Sequence, residues 1–524
     1  MTASVLQGIR PNETVQTEQA REDQVKNNAG GFVFEISPLQ RFRRFLILGT
    51  EASTYYQSAP ALSRENAQNL FALLGSDHRG VVNEILEVST NGLAPRQEPT
   101  LFAYAAAVSP EFGSVEDRTY ALSLFNQIVR TGTHLFTFLG FVEQFRGWGT
   151  ALRRAVADWY LSKEPDKLAY QVVKYKQREG WSHRDALRLS HPKADNWDTN
   201  DIFGYITQNG ETSNSLIEAA RGVHDGSVSI SAGIEAGLPW EALPSEALTE
   251  AKTWEALLEH NSVPLGALVR QLGRLTNLDL LKPFADTKST ILGLLRDERN
   301  ILKSRIHPFN LLNAWYTYRS GRGFRGNASW NPDGDVVAAL EAAFYTSFPN
   351  VKPAGKNTLV ALDVSGSMGW DTINNSALTP REASAAMALV TVKTEPNTHV
   401  VAFSTSLTPL PIASASTLDE TLRIVDSVRM GGTDVSLPIL YAQERGLQVD
   451  TFISYTDNET WSGRIHPYQA LTQYRKSSGR FAKNVVVGMT ATGFSVADPR
   501  DPGSLDVVGF DSSAPSVISE FSRG

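Results

Sequence analysis

Along residues 34–348 apolar residues recur at spacings of three and four, in short stretches separated by Gly-, Pro- or Asp-containing breaks. That period matches helices with one buried face. The spacing predicts helices over Ser63–Leu74, Val81–Val88, Arg118–Arg130, Ala151–Leu161 and Leu168–Gln177. Strand-like alternation is scarce here. A long succession of short paired helices is the pattern of an α-solenoid, in which each unit buries its apolar face against the next. The stretches share no consensus that aligns, so this expectation rests on periodicity alone.

Near Pro353-Ala354-Gly355 the pattern changes. Asn357–Asp363 (NTLVALD) is an apolar run suited to a strand buried on both faces. Thr379, Pro380 and Glu382 predict a helix start, as N-cap, N1 and N3, with the helix running through Ala383–Thr394. His399–Phe403, Thr451–Tyr455 and Asn484–Met489 read as further strands, and Leu418–Val428 and Asp434–Arg445 as helices. Alternating β and α elements imply a doubly wound, mostly parallel sheet with ligands at the strand C-terminal ends. The expected fold is multidomain, α followed by α/β. Its parts are a polar N-terminal segment over 1–33, a helical domain over 34–353 and an α/β domain over 354–524.

Composition narrows the chemistry. The 524 residues include no cysteine, which excludes disulfides, thiolate metal sites and cysteine nucleophiles. Hydrophobic residues at 41% and charged residues at 20% are those of a globular chain. No window approaches the roughly 18 apolar residues that cross a bilayer, and the N-terminus lacks the apolar core of a signal peptide. A soluble, cytoplasmic protein without membrane partners is expected. The net charge of −7 predicts no polyanion partner by itself, but binding depends on local patches.

Three loops in the C-terminal part carry oxygen ligands. Asp363, Ser365 and Ser367 form a D-x-S-x-S run where the first strand ends. Alone that run reads as a solvated turn. Thr433 follows a Gly431-Gly432 pair at a helix start, and Asp457 follows a strand-like run. Together they can converge on a hard cation that prefers oxygen. The order resembles the metal-ion-dependent adhesion site of the von Willebrand factor A fold. That resemblance implies that Asp363, Ser365, Ser367, Thr433 and Asp457 hold a divalent ion, Mg²⁺ foremost, with Ca²⁺ or Mn²⁺ as alternatives. No general base pairs with a nucleophile nearby, so the site reads as recognition chemistry and the protein as no enzyme.

Two stretches are basic. Between Arg146 and Lys193 eleven Lys and Arg face five acids, with His183 and His191 as further donors and Trp181 and Tyr175 among them. Lys174 and Arg178, four apart, would share one helix face. Between Arg296 and Arg325 seven basic residues face two acids. This stretch contains Gly321-Arg322-Gly323-Phe324-Arg325-Gly326, literally G-x-G-x-x-G but with no strand before it and two arginines inside it. A flexible basic loop fits better than a dinucleotide site. A positive stripe suits phosphates, although a solvated helix face with core aromatics explains the first stretch equally well.

Five strings are more specific: Lys174–His191 (KYKQREGWSHRDALRLSH), Arg305–Phe309 (RIHPF), Asp363–Met368 (DVSGSM), Gly431–Pro438 (GGTDVSLP) and Thr456–Thr460 (TDNET). They resemble the Ro 60 kDa autoantigen family, RNA-binding proteins with a TROVE module, from roughly Gln40 to the C-terminus. The missing cysteines and divergent helical stretches point to a bacterial member. The resemblance implies a closed ring of HEAT-like repeats joined by the A domain. Small noncoding Y RNA would bind the outer surface, and single-stranded ends of misfolded RNA would enter the central hole. A 3′ exonuclease would be a partner in RNA quality control, decay or ribosomal RNA maturation. By the same resemblance Lys174, Arg178 and His191 match the Y RNA surface, with Arg184 and Arg188 as neighbours. Arg305, His307, Arg322 and Arg325 are the nominees for the hole. The alternative function is a protein–protein adaptor whose A domain captures an acidic partner through its metal.

Overall fold

The computed structural model describes residues 13–50, 57–145, 147–208, 210–324, 327–348, 352–370, 372–373, 376–509 and 511–524. They form two compact units. One comprises the residues up to Asn69 together with 93–95 and Phe348–Gly524; the other comprises Leu70–Gly92 and Arg96–Ser347. Near the N-terminus Gln24–Lys26 (β1) and Phe32–Glu35 (β2) pair antiparallel, with Val25 opposite Val33. Ser37 then starts the helix Pro38–Leu48 through a capping box with Gln40.

The second unit is almost entirely helical. Glu98–Ala107 packs on Gly132–Phe145, Thr150–Leu161 on His183–Ser190, and Pro308–Arg319 on Gly334–Thr346. Such short-range pairing is what the three-and-four spacing demands, because each helix covers its apolar stripe with a near neighbour in sequence. Two expected helices are shorter. The stretch over Arg118–Arg130 divides at Leu124 into Val115–Ser123 and Phe125–Ile128. The helix at 168 runs from Pro165 only to Lys174.

After Lys174 the chain turns back on itself. Gln177–Arg178 (β3) pairs antiparallel with Trp181–Ser182 (β4) across Glu179 and Gly180. Both linking residues have positive φ, 52° and 78°, as a two-residue hairpin turn with right-handed strand twist requires. Lys174 and Arg178 therefore do not share a helix face, and that expectation is corrected.

His183 is also corrected as a surface donor. It is 4% exposed, with Nδ1 facing Tyr160 Oη at 2.8 Å and Nε2 facing the Gln171 carbonyl at 3.3 Å. Neutral imidazole satisfies both contacts by donating from Nε2 and accepting from the phenol at Nδ1.

In the first unit Asn357–Asp363 (β5), Asn397–Phe403 (β6), Leu407–Pro409 (β7), Thr451–Thr456 (β8), Lys483–Gly488 (β9) and Ser504–Val508 (β11) build one sheet. Its order is β11-β9-β8-β5-β6-β7, parallel except for β7, which runs antiparallel beside β6. Thr379 caps the helix Pro380–Thr394 in the expected capping box with Glu382. Leu359 and Ala361 of β5 share a core with Ile439, Ala442, Leu471 and Tyr474. Val360 and Leu362, buried on the opposite face, complete a strand covered on both sides.

The expected boundary at residue 33 does not match the compact units. Phe494–Ser495 (β10) pairs antiparallel with β2, and Val33 joins the core of the C-terminal sheet. Arg44 is wholly buried, ion-paired to Asp506, and donates from Nη1 to the Thr492 and Phe494 carbonyls at 3.1 and 2.9 Å. The N-terminal residues are thus an integral layer of the C-terminal unit. Their partners lie more than 400 positions away, beyond any periodicity.

These buried groups set the response to mutation and to pH. Arg44→Met strands the carboxylate of Asp506 and should lower unfolding stability by about 3–5 kcal/mol, read as a lower urea midpoint. A midpoint equal to that of the native chain contradicts it. Burial pushes His183 and His134 down to about 4. The unfolded chain then binds more protons than the folded one between that value and the ordinary histidine pKa near 6.5. Stability should fall as pH drops from about 6.5 toward 4, and His183→Gln should flatten the fall in thermal scans.

Candidate functional site

The parallel strands bring the oxygen ligands together. The register of β5 and β8 sets Leu362 opposite Tyr455, so Asp363 and Thr456 end the two central strands side by side. Asp363 Oδ2 accepts from Thr456 Oγ1 at 2.7 Å, and Asp363 Oδ1 from the Ser365 amide at 2.9 Å. Ser365 and Ser367 hydroxyls lie 3.0 Å apart. The Gly431 carbonyl accepts from the Gly366 amide at 3.3 Å, joining the second loop to the first. Thr433 on that loop is fully buried, and its carbonyl accepts from the Trp461 and Ser462 amides of the third loop at 3.0 Å each. Gly432 is required for this closeness, since a Cβ there would stand 2.7 Å from the Trp461 ring.

The acids of these loops are buried without counter-charges. Asp363, Asp434, Asp457 and Glu459 are all buried, and none has an ion-pair partner among the described residues. Burial, reinforced by the charge of Asp457, pushes the Asp363 carboxyl up to about 7. Burial also raises Asp457, and burial with the neighbouring Asp457 raises Glu459 to about 8. Not all four converge: among the described residues no group of three or more His, Cys, Asp or Glu is placed to hold a metal. The available set is two carboxylates, Asp363 and Asp457, with the hydroxyls of Ser365, Ser367 and Thr433. Thr433 Oγ1 is buried without a hydrogen-bond partner. A buried hydroxyl oxygen without a hydrogen-bond partner and two carboxyls without counter-charges fit an oxygen-preferring divalent ion.

The other two acids are occupied by the N-terminal strap, to which no sequence pattern assigned a role. Gln16, fully buried, donates from Nε2 to Asp434 Oδ1 at 2.8 Å and to the Ile465 carbonyl at 2.9 Å, and accepts from Thr460 Oγ1. Asn27 Nδ2 donates to the Thr460 carbonyl at 2.8 Å. Asn28 Nδ2 and the Ala29 amide donate to the two Glu459 oxygens at 2.7 and 2.9 Å. Gly31 sits where a Cβ would collide with the Thr460 carbonyl at 1.9 Å. Asn27 Oδ1 accepts from the Gly31 amide at 2.8 Å to close this turn, and no local pattern names its partner across the chain.

The helical unit distributes its cations unevenly. Lys174 is half-buried, its Nζ 3.5 Å from Glu241 and 3.3 Å from the Tyr170 hydroxyl. Arg184 donates to the Thr207 carbonyl at 3.2 and 3.0 Å, closing the end of the helix Trp197–Gln208. Arg178 is exposed and only loosely paired, 3.4 Å from Glu98 and 3.7 Å from Glu179. Arg188 and His191 are exposed, His191 in left-handed conformation at the end of the helix His183–Ser190. His307 is corrected as a solvent-facing nominee: it is 6% exposed, and Nδ1 accepts from the Phe309 amide at 3.1 Å as N-cap of Pro308–Arg319. Arg305 and Arg322 are exposed, and Arg325 lies outside the described residues.

Arg130 and His134 are half-buried in the same unit. The charge of Arg305, after burial, lowers the pKa of Arg130, while Arg130, Glu98 and Arg178 all act on His134.

A mostly helical unit and a doubly wound, mostly parallel unit are the two parts of a protein with a TROVE domain and a von Willebrand A domain. The family model for the TROVE domain matches residues 25–220 and 233–317, and that for the Ro60 vWA domain matches 357–522. The chain is 39% identical over 531 residues to the RNA-binding protein RO60 of Deinococcus radiodurans, with 99% of each chain covered. It is 34% identical to the RNA-binding protein RO60 of Caenorhabditis elegans, covering 97% of this chain and 91% of that one. The crystal structure of the Deinococcus radiodurans RO (RSR) protein superposes with a TM-score of 0.71 at 37% identity, covering 93% of this chain and all of that one. The chain belongs to the RO60 family. Among the described residues no helix is long and apolar enough to cross a membrane.

Asp363→Ala should abolish Mg²⁺ binding in a calorimetric titration, and full-strength binding in that variant contradicts the ligand set. Gln16→Ala removes no proposed ligand but frees Asp434 and Thr460 beneath the loops. It should weaken Mg²⁺ binding several-fold while leaving helical content unchanged by circular dichroism.

Proposed function

We propose that this chain is a non-catalytic RNA-binding scaffold acting in RNA quality control. Family membership along nearly the whole chain carries the proposal. The exposed side chains of Arg178, Arg188 and His191 give it a chemical basis. A small noncoding Y RNA would meet the guanidinium groups through its phosphates and His191 through a base or ribose edge. Lys174 would support this surface from its half-buried position beside Tyr170 and Tyr175, where truncation removes packing as well as charge. Arg184 would act through the helix end it closes. Single-stranded ends of misfolded or structured RNA would engage the Arg305 and Arg322 side, where charge binds without reading sequence. A 3′ exonuclease would be the partner that consumes or trims the bound RNA, in the cytoplasm.

A second reading is favoured by the unneutralised carboxyls Asp363 and Asp457. With a divalent ion, Mg²⁺ foremost and Ca²⁺ or Mn²⁺ as alternatives, that unit would capture an acidic group of a protein partner. The ion would supply positive charge and an open coordination position. Both readings fit one ribonucleoprotein particle.

Replacing Arg178 and Arg188 together by Ala should weaken binding of a structured small RNA at least tenfold. It should also reduce the slope of log affinity against log salt by roughly one for each phosphate that is no longer neutralised. Filter binding across a salt series reads both quantities. Unchanged affinity and slope in the folded variant remove this surface from the proposal.

A further inference from the structure

Glu98 opens the helix Glu98–Ala107, and Gln97 before it makes no side-chain cap bond to the first turn. The backbone dipole leaves positive charge at such a helix start, which favours an anion there. Two guanidinium groups converge on the same carboxylate. Arg96, two residues away, places Nη2 3.4 Å from Glu98 Oε1. Arg178 reaches that oxygen from the β3–β4 hairpin, also at 3.4 Å. The helix Gly132–Phe145 brings these distant residues together, because the helix Glu98–Ala107 and β3 both pack on it. The hairpin settles over Gly140, where a Cβ would stand 3.1 Å from that of Glu179.

Burial pushes the Glu98 carboxyl up, but Arg96, the backbone amide of Glu98 and Arg178 outweigh it and hold the group below the ordinary carboxylate range. Glu98 is therefore an anion at neutral pH. All three side chains stay open to water, at 31% for Arg96, 30% for Glu98 and 44% for Arg178. Glu179 also lies beside Arg178, at 3.7 Å. Exposed pairs of this kind add little to stability, so giving one up costs the fold little. A phosphodiester has two free oxygens, and two guanidiniums that share one carboxylate oxygen can each take one of them.

We propose that Glu98 is a built-in stand-in for an RNA phosphate, displaced when RNA arrives, and that Arg96 grips the incoming phosphate together with Arg178. The carboxylate sets a threshold at this seat. A lone small anion must displace it unaided, whereas a polynucleotide held by other contacts displaces it at little further cost. This rests on the reading of Arg178 as an RNA contact.

Filter binding of a labelled stem–loop RNA transcript to the full chain across a salt series tests the seat. Circular dichroism and urea midpoints equal to those of the native chain show that each variant is folded. Glu98→Gln should tighten binding by about threefold or more, as the loss of a competing exposed ion pair allows. Arg96→Gln should weaken it by about threefold or more and reduce the slope of log affinity against log salt by roughly one. The gain from Glu98→Gln should vanish once Arg96→Gln and Arg178→Gln are added, because no guanidinium then remains for the carboxylate to hold. A gain that persists in that background is long-range repulsion and overturns the seat. If Arg96→Gln and Glu98→Gln change nothing while replacement of Arg178 and Arg188 weakens binding, the seat is overturned and the RNA surface stands. If none of these variants alters binding, surface and seat fall together.

Discussion

Two carboxyl groups at the ends of adjacent parallel strands, Asp363 and Asp457, organise the C-terminal unit. Both are buried, burial raises both, the charge of Asp457 raises Asp363 further, and neither has an ion-pair partner among the described residues. A folded chain tolerates that arrangement when hydrogen bonds and either a counter-charge or a bound proton replace water. The Thr456 hydroxyl and the Ser365 amide supply hydrogen bonds to Asp363, and a divalent ion would supply the charge. The N-terminal strap belongs to the same solution. It hydrogen-bonds Asp434 through Gln16, and Glu459 through Asn28 and the Ala29 amide.

This dependence ties the ends of the chain to each other. Gln16, Asn27 and Asn28 reach loops more than 400 residues away, and β2 pairs with β10. The A-type unit is therefore incomplete without residues that precede the helical unit. Cations in the helical unit follow a different rule. Lys174 and Arg184 are partly spent on local structure, whereas Arg178, Arg188, Arg305 and Arg322 project into solvent. The second kind offers its charge to a phosphate-rich partner at little cost to the protein's own structure.

Much of this was legible in the sequence, for physical reasons. Buried parallel strands write themselves as apolar runs, so Asn357–Asp363 was readable to the residue. The Thr379–Glu382 capping box was readable because its chemistry is local. Three-and-four spacing revealed the helices but not their ends. Tyr175 and the Glu179-Gly180 turn stop the helix that spacing extends to Gln177, which separates Lys174 from Arg178. His183 and His307 looked like surface donors because histidine is compatible with water, and only packing shows them buried. The strap was invisible because its hydrogen bonds run to residues that no local pattern names.

The most direct measurement purifies the protein natively from its own cells, digests it with protease and sequences the RNA that remains. One or two abundant small structured RNAs are expected, depleted when Arg178 and Arg188 are both replaced. A preparation free of nucleic acid that also ignores single-stranded RNA tails at low salt would contradict it.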